Sequence, residues 1–369
     1  MFKKAIIIFF VIMLNFSFLY AAIITVDNKY PSLGQYKTLH EAHDAAKDGD
    51  SIYVYPSKQS YSGLTISKRL TISGAIGVET STVGTISLTD GSAGSIIDSL
   101  RTGDIFIYSK NNTIRNTRTD NIHNIFIYND SQMIKNNMCG RIDIDANNVK
   151  IIQNITSRIT IFKGHMDNMI LQNKITYNSS NHYSLHIYEL NTVDIKNNII
   201  YNSYIEYYYE RQGHALKIEN RCNVSAINNV IICDNYHCYN YGGRAISLSS
   251  NTHAFFVNNI VRGGEVSSLG EYHYNLFSCV YNGYPTSNNN KSGDPRFTNG
   301  YHLSSRSSAI GAGQNGTDMG IYGGDTPYVD NWADSSSILP IITQIKAEPI
   351  VAEGTQGLEI SIKTNAGSE

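Results

Sequence analysis

Between residues 186 and 244 the chain gathers side chains able to move protons and hold anions: His186, Tyr188, Arg211, His214, Lys217, Glu219 and Arg244. An amine such as Lys217 can serve as a base and a phenol such as Tyr188 as an acid, while Arg211, His214 and Arg244 can hold acidic groups. Interleaved with them are Tyr204, Tyr207, Tyr208, Tyr236 and His237, in a chain that holds 26 tyrosines. Tyrosine offers a flat apolar face with a hydroxyl at its edge, a combination that suits a sugar ring. The expected catalytic set is therefore Lys217, Arg211, His214 and Tyr188. The expected contact set is His186, Glu219, Arg244, Tyr204, Tyr207, Tyr208, Tyr236 and His237. Lys217 and Glu219, two residues apart on a strand, are more often a solvated ion pair with no chemical role.

The elements that must position these residues follow a repeat. From Asp104 to Val261 a short strand with two inward apolar residues recurs seven times: Ile105/Ile107, Ile125/Ile127, Ile142/Ile144, Ile159/Ile161, Leu185/Ile187, Leu216/Ile218 and Ile246/Leu248. The intervals are 20, 17, 17, 26, 31 and 30 residues, so strands are kept while loops vary. Self-similarity of this length reads as a solenoid, and β-branched residues without helical return segments make it an all-β one. Period-two alternation puts Phe106, Phe126, Asp143, Thr160, His186, Lys217 and Ser247 in one outward column, with Tyr108, Tyr128, Asp145, Phe162, Tyr188, Glu219 and Ser249 in the next. The added length falls at Asn178–Tyr183, Asn202–His214 and Asp234–Arg244, and long loops on a rigid scaffold are favoured places for function. After each strand an apolar residue precedes an asparagine: Asn116, Asn136, Asn154, Asn173, Asn197, Asn228 and Asn258. Asparagine tolerates the left-handed backbone of a tight bend, and amides stacked in successive coils can bond along the axis, so these seven are expected to form a structural ladder.

Composition removes some function classes. With 16% charged residues and a net charge of -2, nothing favours nucleic acid or an anionic membrane as a partner. Lys3 and Lys4, the apolar run from Ala5 to Leu14, and Ala21-Ala22 have the layout of a signal peptide over residues 1–22. This predicts a secreted, extracellular or cell-surface monomer, or a periplasmic one, with no transmembrane span in the mature chain. Of the five cysteines, Cys233 and Cys238 share one loop and are placed for a local disulfide, or all stand as separate thiols. Asp143 and Asp145 have only Thr160 and Phe162 beside them, so no carboxylate cluster marks a calcium cage and no cofactor is expected.

Thr38-Leu39-His40-Glu41 has the spacing of a capping box, and Leu39, Ala42, Ala45 and Ala46 share one face of a short helix. Strands are expected at Ser51–Tyr55, Leu64–Ser67 and Leu70–Ser73. The run from Tyr36 to Ala42, then Ala45 to Val54, with Asp294-Pro295-Arg296-Phe297, Ser307 to Gly313 and Asp318 to Gly324 near the other end, resembles the opening and closing coils of pectin-lyase-like right-handed parallel β-helix proteins of secreted bacterial type. The resemblance covers residues 23–325. It implies a right-handed parallel β-helix with a short N-terminal capping helix, leaving residues 326–369 as a small C-terminal β segment with strands near Ile341–Ile345 and Leu358–Lys363. It further implies that the outward face of the repeat's first strand and the loops beside it form a saccharide groove. Lyases of that superfamily commonly use a lysine or arginine as base, which marks Lys217, with Tyr188 or a loop tyrosine as acid. The aspartate signatures of its hydrolases are absent. The resulting expectation is an exported protein that binds, and cleaves by β-elimination, an acidic polysaccharide. The alternative is a non-catalytic cell-surface or extracellular adhesive protein.

Overall fold

The computed structural model describes residues 21–29, 31–76, 80–119, 122–178, 182–203, 214–233, 243–281 and 283–330, and the backbone of 341–349 and 358–365. The expected signal peptide lies almost wholly outside the described residues. The chain winds as a parallel β-helix, as the repeat predicted. Sheet 1 stacks twelve strands from Ile23–Val26 to Glu271–His273, each hydrogen-bonded in parallel to the next coil. A second hydrogen-bonded set of sixteen strands divides part-way along. Met138–Ile144 and Ile155–Ile161 are long strands that run unbroken around one corner of the coil. Beyond them Ile155 and Thr156 pair with Lys174–Tyr177, whereas Ile159 to Ile161 pair with Tyr183–Ile187. From this point sheet 2 continues through His214–Ile218, Arg244–Leu248 and Glu265–Val266. Sheet 3 continues through Ile199–Asn202, Val230–Cys233, Ile260–Arg262, Leu276–Ser278 and Lys291–Ser292.

All seven inward pairs are buried, the least so being Leu248 at 9% exposure. They pack in register, Ile125 on Ile142 and Ile142 on Ile159, then Leu185 on Leu216 and Leu216 on Ile246. Each such side chain contributes on the order of 1.5–3 kcal/mol by leaving water. Sheet 3 is covered on both sides. Ile200, Ile231 and Val261 point into the coil interior, while Ile199, Val230, Ile232, Ile260 and Leu276 point outward against Ala309, Met319 and Ile321 of the closing segment. A parallel strand buried on both faces needs a continuous apolar run, and Val230-Ile231-Ile232-Cys233 is one.

The asparagine ladder forms one residue away from most of its expected positions. Asn137, Asn154, Asn173, Asn198, Asn229, Asn259, Asn275 and Asn290 are joined side chain to side chain, each Nδ2 donating to the next Oδ1 at 3.0 Å. Of the seven predicted members only Asn154 and Asn173 belong to it. Asn116, Asn136, Asn197, Asn228 and Asn258 instead take the positive φ of the bend, between 52° and 57°, and precede the ladder position. In the Gln-Asn coils Gln153 and Gln172 fill the bend, with φ of 54° and 56°. One residue cannot both adopt the left-handed backbone outside the coil and send its amide into the interior, so the Asn-Asn pair divides the two tasks. The bend residues find another use: Asn197 Nδ2 donates to the carbonyls of Ile321 and Gly323, and Asn228 Nδ2 to those of Asp318 and Gly320. They hold the closing segment against sheet 3.

The helix α1, Leu39–Ala45, carries the expected capping box and covers the first coil. Leu39, Ala42 and Ala46 are buried; Ala45 is exposed, and His43 is buried in its place with Nε2 accepting from the Ser67 N–H at 3.3 Å. Ile341–Pro349 and Leu358–Asn365 pair as an antiparallel hairpin. Cys139, Cys222 and Cys233 are buried and Cys279 is disulfide-bonded; the expected local bridge joins Cys233 to Cys238. Cys238 lies outside the described residues. Among the described residues no helix is long and apolar enough to cross a membrane.

Candidate functional site on sheet 2

Both outward columns expected on sheet 2 are present in register: Phe106, Phe126, Asp143, Thr160, His186, Lys217 and Ser247 pair successively across seven coils. The first two coils form an aromatic block. Phe106 stacks on Phe126 at 4.8 Å between ring centres and Tyr108 on Tyr128 at 5.1 Å, within 7° of parallel. Tyr108 and Tyr128 remain 44% exposed. The guanidinium of Arg141 lies 5.2 Å over the Phe126 ring and closes the block on the side of the later coils.

A pocket of about 250 Å³ follows, lined by residues including Arg141, Asp143, Arg158, Thr160, Tyr183 and His186. At its far side His186 Nε2 is 2.9 Å from Glu219 Oε1, and Lys217 Nζ is 3.2 Å from the same oxygen. The Lys217 ammonium also lies 5.3 Å over the Tyr183 ring. Lys217 and Glu219 thus form the pair anticipated from their spacing, with His186 joined to it from the neighbouring coil. Burial lowers the pKa of the His186 imidazole, with the Glu219 carboxylate pulling the other way. With its Nε2–H donating to Glu219, a neutral His186 presents Nδ1 as an acceptor. The ring of Tyr188 stacks on His186 at 4.0 Å, and Phe162 stacks on Tyr188.

His214 stacks on Tyr183 at 4.8 Å, and its Nδ1 accepts the backbone N–H of Arg244 at 3.2 Å. Its pKa falls to about 4, through burial first and then the charges of Arg244 and Lys217. With Nδ1 accepting, the neutral ring presents Nε2–H as a donor, so near neutral pH His214 can meet an anion by a hydrogen bond rather than by charge. The Arg244 guanidinium turns to Glu265, with Nε 3.3 Å from Oε2. Of the residues expected from sequence, the structure therefore brings together His186, Tyr188, His214, Lys217 and Glu219, with Arg244 at the edge. Arg211, Tyr204, Tyr207, Tyr208, Tyr236 and His237 lie outside the described residues.

Sequence reasoning passed over Arg141, Arg158, His182 and Tyr183. The signal for the two arginines was present: each stands immediately before the first inward isoleucine of its coil, and the repeat places them as partners. They form a third outward column beside the two that the alternation brings out. Among the described residues no group of three or more His, Cys, Asp or Glu converges on a point where a metal ion could sit.

No family model matches the chain, and no curated protein matches it. Among solved structures it is similar to pectate lyase Pel9A, at 14% identity with a TM-score of 0.44, covering 81% of this chain and 95% of that one. It is also similar to the PL6 family alginate lyase AlyGC, at 10% identity with a TM-score of 0.42, covering 85% of this chain and 58% of that one.

Proposed function

We propose that sheet 2 carries an acidic-polysaccharide site and that it cleaves the bound chain by β-elimination, with His186 as the base. One observation carries this reading: a largely buried imidazole, held through Nε2 by Glu219, lines an open pocket between aromatic rings and cations. His186 Nδ1 takes the proton from the carbon next to the sugar carboxylate. The electron pair forms the ring double bond, and the bond to the glycosidic oxygen breaks. That oxygen leaves with the hydroxyl proton of Tyr188, stacked on the base. Lys217 sets positive charge one coil along, where the carboxylate gathers charge during proton removal. The base role is assigned to His186 rather than Lys217 because the Lys217 ammonium already donates to Glu219 and lies over the Tyr183 ring. Calcium enters no step of this proposal.

The test incubates the full chain with a panel of uronate-containing polysaccharides, with and without calcium, and follows ultraviolet absorbance of the unsaturated product. His186→Ala is expected to lower the rate at least a hundredfold and Lys217→Ala at least tenfold, while Lys135→Ala, on sheet 1, leaves it unchanged. Glycan binding with no product from any substrate would replace this reading with that of a non-catalytic surface protein. Export is part of the proposal and rests on the N-terminal residues 1–22. Mass measurement of the protein recovered outside the cell is expected to show the chain beginning at residue 23.

A further inference from the structure

The corner where sheets 2 and 3 part holds a second pocket of about 300 Å³, beside the groove pocket. Its side-chain lining is Asn124, Arg141, Ser157, Arg158, Tyr177 and His182, which contains two guanidiniums and no carboxylate. Arg141 and Arg158 stand on adjacent coils in register, about 4.8 Å apart along the axis. Arg141 is steadied by Asp143, its Nε 3.1 Å from Oδ2, and by the Phe126 ring beneath it. Arg158 has no ion-pair partner among the described residues, and its Nε is shut off from water without a hydrogen-bond acceptor. The Asp143 carboxylate acts on this guanidinium only through space, without an ion pair, so its remaining N–H groups are available to an incoming anion. The surplus of positive charge is also felt by His182, whose pKa is lowered by burial and then by Arg158 and Arg141.

We propose that this corner pocket binds an oxyanion substituent of a glycan, a carboxylate or a sulfate ester, between Arg141 and Arg158 while the sugar backbone lies along sheet 2. This rests on and deepens the acidic-polysaccharide reading, because it places recognition of negative charge two and three coils before Lys217. The ligand is then acidic at more than one sugar. Two guanidiniums from separate coils, with Ser157, Tyr177 and Asn124 around them, surround an anion from several sides, which a single bidentate arginine cannot do.

Binding of the full chain to three oligosaccharides of equal length, one carboxylated, one sulfated and one neutral, is measured by calorimetry at low and high salt. The wild type is expected to bind one or both charged ligands at least tenfold more tightly than the neutral one, with the preference shrinking in salt. Arg158→Gln is expected to lose at least tenfold toward the preferred charged ligand and nothing toward the neutral one, with Arg158→Lys between the two. Circular dichroism and thermal melting confirm that each variant is folded. Whichever charged ligand suffers the loss names the substituent. Equal binding of charged and neutral ligands by the wild type, or unchanged affinity in Arg158→Gln, overturns the pocket. Absence of unsaturated product together with Arg158-dependent binding overturns the elimination and leaves the pocket standing. Product formation with an Arg158→Gln variant unchanged in both Kd and KM does the reverse.

Discussion

At the scale of single residues, the site depends on imidazoles kept neutral by their surroundings. The His186 pKa is lowered from the ordinary imidazole value of 6.5, chiefly by burial, so as a base it works on the alkaline side of that lowered value. The rate of product formation is accordingly expected to fall on the acid side with a midpoint below pH 6.5, and Glu219→Gln to move that midpoint lower still by removing the carboxylate that favours the protonated ring. His214 has a stability consequence of definite sign. Its pKa is about 4 in the fold against 6.5 for an unperturbed imidazole, so between those values the unfolded chain binds more protons than the folded one. Stability therefore rises with pH across that window and is lost as pH falls from 6.5 toward 4. Urea unfolding at intervals over this range is expected to show a shallower slope in His214→Gln. The asparagines give a second contrast. Asn137→Ala leaves buried ladder groups without partners and is expected to cost about 3 kcal/mol. Asn136→Gly keeps the positive φ and forfeits one 3.3 Å bond, for less than about 1 kcal/mol.

At the scale of elements, the closing segment behaves as a strap. Met319 and Ile321 cover the outer side of sheet 3, and the bend asparagines bind its carbonyls. Ile321→Ala is expected to cost about 2–5 kcal/mol by opening a cavity and to raise hydrogen exchange at Val230–Cys233, read by mass spectrometry. This arrangement explains what was legible in the sequence. The inward isoleucines were readable because period two and a regular interval leave one solution for them. The capping box and the outward columns were readable for the same local reasons. The placement of the ladder was not, because Asn154 and Asn173 sit second in Gln-Asn pairs, whereas Asn136, Asn197, Asn228 and Asn258 are first in Asn-Asn pairs and Asn116 is first in an Asn-Thr pair. Only the geometry of the bend separates those two positions. The strap also stayed hidden as a partner of sheet 3, since its contacts join residues from 56 to 126 positions apart.

At the scale of the whole molecule, each coil stacks on its neighbours, and the closing segment ties several coils of sheet 3 together, so stability is a sum of local stacking terms with that one long-range addition. The site inherits that order: aromatic block, arginine pair and His186–Glu219–Lys217 cluster succeed one another along the axis because their coils do. Loop length and charge pointed to the later cluster from sequence. Arg141 and Arg158 escaped because their coils, at 17 residues, have no added length to draw attention.

The unbroken strands Met138–Ile144 and Ile155–Ile161 give way in later coils to two strands with chain inserted between them, always at the same corner. Residues 178–182, 203–213 and 234–243 all fall in that interval. Extra length there leaves the pairing of both flanking strands unchanged from coil to coil. The winding of the coils is thus independent of how much chain separates these strands, so exchanging the three inserts for segments of other length is compatible with the same strand pairing.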